Sequence, residues 1–325
     1  MPSPIREISE ILKNNRSFLV ASHVNPDGDA IGATAALGFL LRALGKDVVL
    51  YNPSGLPERY AWLALPGPLS TRLPEVLPDW TVTLDCGAPE RLGPELSARL
   101  DPERTVNIDH HLGNPDFGAV NWVDPAEPAV GAMVAKLARE LGAPLTGGLA
   151  EAVYLAVVTD TGHFTYGNTT PEVLELTAEL LRGGLDLEGV NARVNNQWSP
   201  RRLELWRRVL GSLELRHDGR MALAVVTRDD LDGTGTTSED CEEFVNFLRR
   251  LRGARVCVLV RQEGPERWKL SLRSQGADDV RAVAAGFGGG GHRNAAGAMI
   301  EAPLGTVLTN LTEAVGRMPG LKDRQ

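Results

Sequence analysis

Up to about residue 182, the apolar positions of this chain alternate between two periods. Short runs over 18–22, 47–51, 81–85 and 105–109 have the length and texture of buried strands. Ile5, Ile8, Ile11 and Leu12 have helical spacing and predict a helix over 5–15. Further helices are expected over 30–44, 130–141, 148–158 and 171–181, with shorter ones near 58–63 and 94–100. Gly45, Gly142 and the Gly183-Gly184 pair mark helix ends. Thr170-Pro171-Glu172 offers a cap hydroxyl, a first-turn proline and an acid. The proline-rich stretch 52–79 reads as irregular, and the chain after Asp109 reads as a loop through Trp122 and Pro128. Strand–helix alternation predicts a parallel sheet covered by helices on both faces, over residues 1–184.

Residues 185–211 read as a connector, ending in a basic amphipathic helix over 201–210. Its Arg201, Arg202, Arg207 and Arg208 are expected on a solvated face. From 212 to 325 the texture changes. Short strands over 213–216 and 222–226 flank His217-Asp218-Gly219-Arg220, a hairpin-turn signal. A helix over 241–251, strands over 255–261 and 268–274, a helix over 279–285, a strand over 298–300 and a helix over 306–315 complete a smaller α+β domain.

At 325 residues, two domains are the natural division. No apolar run approaches the ~20 residues of a membrane span, and Met1-Pro-Ser-Pro-Ile-Arg-Glu7 lacks a signal-peptide core. A cytoplasmic location without membrane association is therefore expected. The net charge of −8 argues against a broad basic surface for long nucleic acids but allows a local pocket for a short phosphorylated ligand. Cys86, Cys241 and Cys257 lack thiolate-site spacing, so Cys86 reads as a small buried residue beside the chemistry.

Four apolar runs end in hard or borderline ligands. Phe18-Leu-Val-Ala leads to His23-Val24-Asn25-Pro26-Asp27-Gly28-Asp29; others deliver Asp85, Asp109-His110-His111 and Asp160. Ligands in open α/β sheets sit at the carboxyl ends of strands. The four carboxylates and two imidazoles of His23, Asp27, Asp29, Asp85, His110 and Asp160 are too much like charge to bury without cations. Oxygen and nitrogen donors without thiolate suit Mn, Mg, Fe or Co. Six such ligands suit two ions roughly 3.5–4 Å apart. Gly28 is expected to let the backbone fold tightly between Asp27 and Asp29. Near the other end, Gly288-Gly-Gly-Gly-His292-Arg293-Asn294 reads as an anion-binding device ahead of a helix start. His292 and Arg293 add positive charge, and Arg273 stands at a strand end.

Together these residues resemble the DHH/DHHA1 phosphoesterases. The resemblance rests on His23-Val-Asn-Pro-Asp27-Gly-Asp29, Asp85-Cys-Gly87, Asp109-His110-His111, Thr159-Asp160-Thr-Gly162 and Gly288-Gly-Gly-Gly-His292-Arg-Asn-Ala-Ala-Gly297. Ser271-Leu-Arg-Ser274 and the glycine run look most like the nanoRNase branch, oligoribonucleases that also dephosphorylate 3′-phosphoadenosine 5′-phosphate (pAp). The resemblance implies an N-terminal DHH domain joined to a DHHA1 domain, with the active site in the cleft between them. It implies two Mn²⁺ ions, with Mg²⁺ or Co²⁺ as substitutes. His23, Asp27 and Asp85 would hold one ion; Asp29, Asp85, His110 and Asp160 would hold the other. Asp109 would orient His110, and His111 would face the scissile phosphate. Arg273, Ser274, Gly289, Gly290, Gly291, His292, Arg293 and Asn294 would hold the nucleotide.

The implied activity is hydrolysis of very short RNA to 5′-mononucleotides, from 5′ to 3′, with 3′-phosphatase activity on pAp. A homodimer is left open. The alternatives are a cyclic- or linear-dinucleotide phosphodiesterase (c-di-AMP or pApA) and a non-catalytic nucleotide-binding module. His163 receives no role beyond a structural one.

Overall fold

A computed structural model of the protein describes residues 3–196 and 198–321. Its contacts divide into two compact units, residues 1–197 and 198–325. In the first unit the chain runs α1 (Pro4–Asn14), β1 (Ser17–Ser22), α2 (Gly28–Ala43), β2 (Asp47–Tyr51), β3 (Leu69–Ser70), β4 (Trp80–Leu84), α3 (Pro94–Arg99), β5 (Thr105–Asp109), β6 (Val120–Val123), α4 (Val130–Glu140), α5 (Gly147–Asp160), α6 (Pro171–Arg182) and α7 (Leu187–Asn195). The six strands are all parallel, in the order β3-β2-β1-β4-β5-β6. Strand order reverses between β1 and β4, and the carboxyl ends of strands at such a switch point frame a crevice.

Alternation along the strands gives the sheet two different faces. Phe18, Val20, Val82, Leu84, Val106 and Ile108 pack under the helices in the main core. Leu19 and Ala21 point the other way, joining Tyr51, Cys86, Leu92 and Leu96 in a smaller cluster. On that second face Thr83, Thr105, Asn107 and Asp109 are buried polar residues. Helix α2 is apolar all round because it lies in the core, and small residues let α5 approach it closely. A Cβ on Gly32 would meet the Ala152 carbonyl oxygen at 2.6 Å.

The expected strands are all present, and β6 adds an edge strand where a loop was expected. Its four residues, Val-Asn-Trp-Val, are too short a run to give a periodic signal. Residues 185–211 hold two helices. Asp186 caps α7 in the first unit; Ser199 caps α8 (Pro200–Gly211) in the second.

The second unit continues with β7 (Glu214–Arg216), β8 (Met221–Val226), α9 (Arg228–Thr234), α10 (Phe244–Leu248), β9 (Val256–Gly264), β10 (Arg267–Ser274), α11 (Val280–Ala285), β11 (Gly290–His292), β12 (Ala295–Glu301) and α12 (Leu304–Gly316). Its mixed sheet has the order β11-β12-β10-β9-β8-β7, with only β8 and β9 parallel. Leu223, Val258 and Leu270 face α11 and α12; Ala222, Ala224 and Leu259 face α8, α9 and α10. Two expectations are corrected here. Arg202 is not solvated: it is buried over the Trp198 ring at 4.5 Å, with Nη2 donating to the Glu242 carbonyl. The glycine run precedes no helix; it forms β11, paired antiparallel with β12.

Candidate metal centre

The ends of β1, β4, β5 and α5 bring the N-terminal candidates together. Among the described residues, three groups have ligand atoms all within 4.8 Å of one another: His23, Asp27 and Asp85; Asp29, His110 and Asp160; and Asp85, His110 and His111. Asp85 and His110 each belong to two of them. His23 Nε2 lies 3.5 Å from Asp85 Oδ2 and 3.9 Å from Asp27 Oδ1. His110 Nε2 lies 3.5 Å from Asp85 Oδ1 and 3.8 Å from both Asp29 Oδ2 and Asp160 Oδ2.

Backbone carbonyls set both imidazoles. His23 Nδ1 donates to the Val24 carbonyl at 2.9 Å and His110 Nδ1 to the Glu127 carbonyl at 3.0 Å. A carbonyl only accepts, so each ring carries its hydrogen on Nδ1 and turns Nε2 toward the carboxylates. Asp27 caps α2, its Oδ1 accepting from the Ala30 N–H at 3.0 Å. Asp29 is buried, and its two oxygens accept from the Val130 and Gly131 N–H groups that open α4, at 2.6 and 2.9 Å. Gly28 has a different reason from the one expected. Its φ is not in the left-handed region; a Cβ there would meet Thr159 Oγ1 at 2.3 Å, so glycine admits α5 beside the α2 start.

The electrostatics fit a cation. Burial works to raise Asp85, but the His110 and His23 imidazoles outweigh it and hold this carboxyl well below the usual range. Burial and the Asp85 charge push Asp29 well above that range. Burial lifts Asp160 to about 7 against the opposing pull of His110, with Asp27 and Asp85 adding to the rise. Although burial opposes it, Asp85 and Asp160 hold His110 well above its usual value. Protons thus balance charge that a divalent ion would balance better. Asp85 Oδ1 is buried and accepts no hydrogen bond, as an oxygen awaiting a metal would be. The donor set fits Mn²⁺ or a similar hard ion. Cys86 adds no ligand: its thiol donates to the Ala88 carbonyl, and burial pushes it up to about 12.

His111 stands apart from the other two histidines. Asp109 Oδ1 lies 2.8 Å from His111 Nδ1, so this carboxylate orients His111, not His110 as expected. The physical reason is direction: Asp109 points to the polar face of the sheet, where Asn114 Nδ2 donates to its Oδ2 at 2.6 Å. His163 lies in the tight turn after α5, with φ of 57° and its N–H donating to the Val158 carbonyl.

In the second unit, the expected nucleotide-holding residues cluster around β10 and the β11–β12 hairpin. Ser274 is fully buried; its hydroxyl donates to the Asp278 carbonyl and accepts from Asn294 Nδ2 at 2.8 Å. Asn294 also donates to the Asp278 carbonyl, and Arg293 to the Ala277 carbonyl. These bonds anchor the hairpin. Gly290 and Gly291 are exposed, and His292 is half-buried. A Cβ on Gly289 would meet the Gly297 carbonyl oxygen at 2.1 Å. Arg273 is steered by Asn246 Oδ1 at 3.2 Å.

Two family models match the chain: the DHH family N-terminal domain over residues 17–157 and the DHHA1 domain over 218–317. The bifunctional oligoribonuclease and PAP phosphatase NrnA of Thermus thermophilus is 35% identical over 300 residues, spanning 91% of this chain and 88% of that protein. The chain belongs to the DHH/DHHA1 phosphoesterase family. The NrnA of Bacillus subtilis is 26% identical, over 87% of this chain and 89% of its own. An exopolyphosphatase-related protein from Bacteroides fragilis superposes with a TM-score of 0.88 at 28% identity, covering 97% of this chain and 96% of that one. RecJ of Thermus thermophilus, in a structure with Mn²⁺, shares the fold at a TM-score of 0.54 and 17% identity, covering 98% of this chain and 56% of its own. As a member of this hydrolase family the chain is an enzyme, which removes the binding-module alternative.

Several side chains around the DHH motif carry no motif signal. Asn114 bridges Asp109, the Cys86 carbonyl and Asn107. Asn52 Nδ2 donates to the His23 carbonyl at 2.9 Å and pins the end of β1. Asn168 Nδ2 donates to the Asp160 and Pro128 carbonyls. Arg91 Nη1 lies 3.5 Å from His111 Nε2. Asn114 and Asn168 lie only five and eight residues from Asp109 and Asp160, whereas Asn52 reaches His23 from 29 residues away; in each case only the folded chain reveals the partner.

Proposed function

We propose that this DHH/DHHA1 enzyme hydrolyses very short RNA to 5′-mononucleotides in the 5′-to-3′ direction and removes the 3′-phosphate of pAp, in the cytoplasm. The observation that carries this reading is the set of overlapping ligand groups sharing Asp85 and His110. Full-length relatives named as bifunctional oligoribonuclease and PAP phosphatase support the substrate class.

His23, Asp27 and Asp85 would hold one Mn²⁺ ion; Asp29, Asp85, His110 and Asp160 would hold a second. Such ions acidify a bound water and offset charge that builds on the phosphoryl oxygens. Asp109 holds the hydrogen on His111 Nδ1 and so presents Nε2 to the scissile phosphate. Arg273, His292, Arg293 and the exposed Gly290–Gly291 backbone would grip a 5′-phosphorylated nucleotide, with Ser274, Asn294 and Gly289 keeping the hairpin in shape. Water adds to phosphorus and the bond from phosphorus to one of its ester oxygens breaks. One grip serves both activities: cutting at the phosphorus on the 3′ oxygen releases phosphate from pAp and a mononucleotide from RNA.

Mn²⁺-supported turnover of a 5′-labelled RNA dinucleotide, a longer RNA, pAp and cyclic di-AMP tests this. Fast cleavage of the dinucleotide and pAp, with slower cleavage of the longer RNA, is expected. Turnover of cyclic di-AMP alone would overturn the substrate assignment, and degradation from the 3′ end would overturn the polarity.

A further inference from the structure

We propose that Arg91 is a phosphate-binding catalytic residue of this centre, its guanidinium taking a non-bridging oxygen of the scissile phosphate beside His111. This rests on the hydrolase reading above. Arg91 lies on the short 3-10 turn Pro89–Leu92, just after Asp85-Cys86-Gly87. Three ties make that turn rigid. The Arg91 carbonyl accepts the Val24 N–H at 2.7 Å, and the Arg91 N–H donates to the Ala88 carbonyl at 3.1 Å. Leu92 is fully buried in the small cluster with Leu19 and Cys86. Gly93, at φ of 88°, ends the turn against Pro53.

The side chain is half-buried, and its Nη1 lies 3.5 Å from His111 Nε2. Asp109 already occupies His111 Nδ1. Arg91 therefore stands at the face of the imidazole that a substrate phosphate must approach. Among the described residues no carboxylate forms an ion pair with it, although Asp85 and Asp109 both lie against His111. The two backbone hydrogen bonds fix the main chain of Arg91, and from there its half-buried side chain reaches His111. A guanidinium has five N–H donors in a planar fork matched to phosphate oxygens. The contact to His111 uses one nitrogen and leaves the rest of the fork for an anion. A fixed donor of this kind stabilises charge that grows on the equatorial oxygens during displacement.

The test compares the Mn²⁺-loaded full chain with its Arg91→Ala and Arg91→Lys variants. Turnover is read on whichever substrate the unaltered enzyme cleaves best. Mn²⁺ stoichiometry and the affinity for inorganic phosphate are read by calorimetry. Arg91→Ala should lower kcat roughly 10²–10³-fold, the scale of losing one oxyanion donor. It should weaken phosphate at least about tenfold while leaving Mn²⁺ stoichiometry and Tm unchanged. Arg91→Lys keeps the charge without the fork and should recover part of both losses. Unchanged phosphate affinity in Arg91→Ala would overturn the proposal even if kcat fell, because Arg91 would then only position His111. Loss of Mn²⁺ together with turnover would overturn it as well. If the unaltered enzyme is idle on RNA and pAp, the proposed substrates fall, and the phosphate measurement still decides Arg91. An unaltered enzyme that takes up no phosphate would overturn it outright.

Discussion

A buried carboxylate oxygen that accepts no hydrogen bond is destabilising unless something positive reaches it, and Asp85 Oδ1 is such an atom. Its oxygens also belong to two of the three ligand groups. Asp85→Ala should therefore lower Mn²⁺ stoichiometry, read by calorimetry, and cut turnover by roughly 10³ or more. Asp160 behaves differently. Burial holds it near pH 7, so below that a proton occupies the carboxyl that a cation must displace. Mn²⁺ affinity should fall as pH drops from 8 to 6; Asp160→Asn should weaken binding and flatten that dependence. Stability of the metal-free protein follows with opposite signs for the two acids. Asp160, raised above its ordinary value of 3.8, contributes stability below 3.8 that is lost as pH rises through about 7. Asp85, held well below 3.8, contributes above that value and loses its contribution as pH falls toward its lowered pKa.

At the scale of elements, glycine sets the spacing of the three helices behind the centre. A Cβ on Gly131 would meet the Ala156 Cβ at 2.2 Å, and one on Gly28 would strike Thr159. Gly28→Ala should cost about 1–3 kcal/mol of stability, the usual scale of overpacking, and displace Asp29 from Asp160. Thermal unfolding and Mn²⁺ affinity report the two effects, and Thr159→Ala added to Gly28→Ala should relieve part of each. The strands that end in ligands were legible in sequence because β1, β4 and β5 are apolar runs stopped by His23, Asp85 and Asp109. Other features were not. Strand β6 is too short for a period, and the Thr227–Asp230 capping box of α9 sits beside no long apolar stripe. The glycine run was legible as special but not as a strand, because its pairing with β12 depends on partners along the hairpin. The assignment of Asp109 to His111 depends on which sheet face the side chain takes, which a motif does not encode.

The whole molecule carries a net charge of −8, so affinity must come from local grips rather than a broad field. KM for a dinucleotide should rise less than roughly tenfold between 50 and 200 mM salt, against the 10³–10⁵ typical of proteins making 6–10 phosphate contacts. Among the described residues no helix is long and apolar enough to cross a membrane. The ligands at positions 23, 27, 29, 85, 110 and 160 are drawn from most of the first unit's length. A bound ion would therefore hold together segments far apart in the chain and stabilise the folded state, the only one in which its ligands converge. Chelation should do more than silence the enzyme: it should open the segments around 24–28 and 111–118 to proteases, and added Mn²⁺ should close them again. In that sense the metal supply of the cell would set how long the protein survives as well as how fast it works.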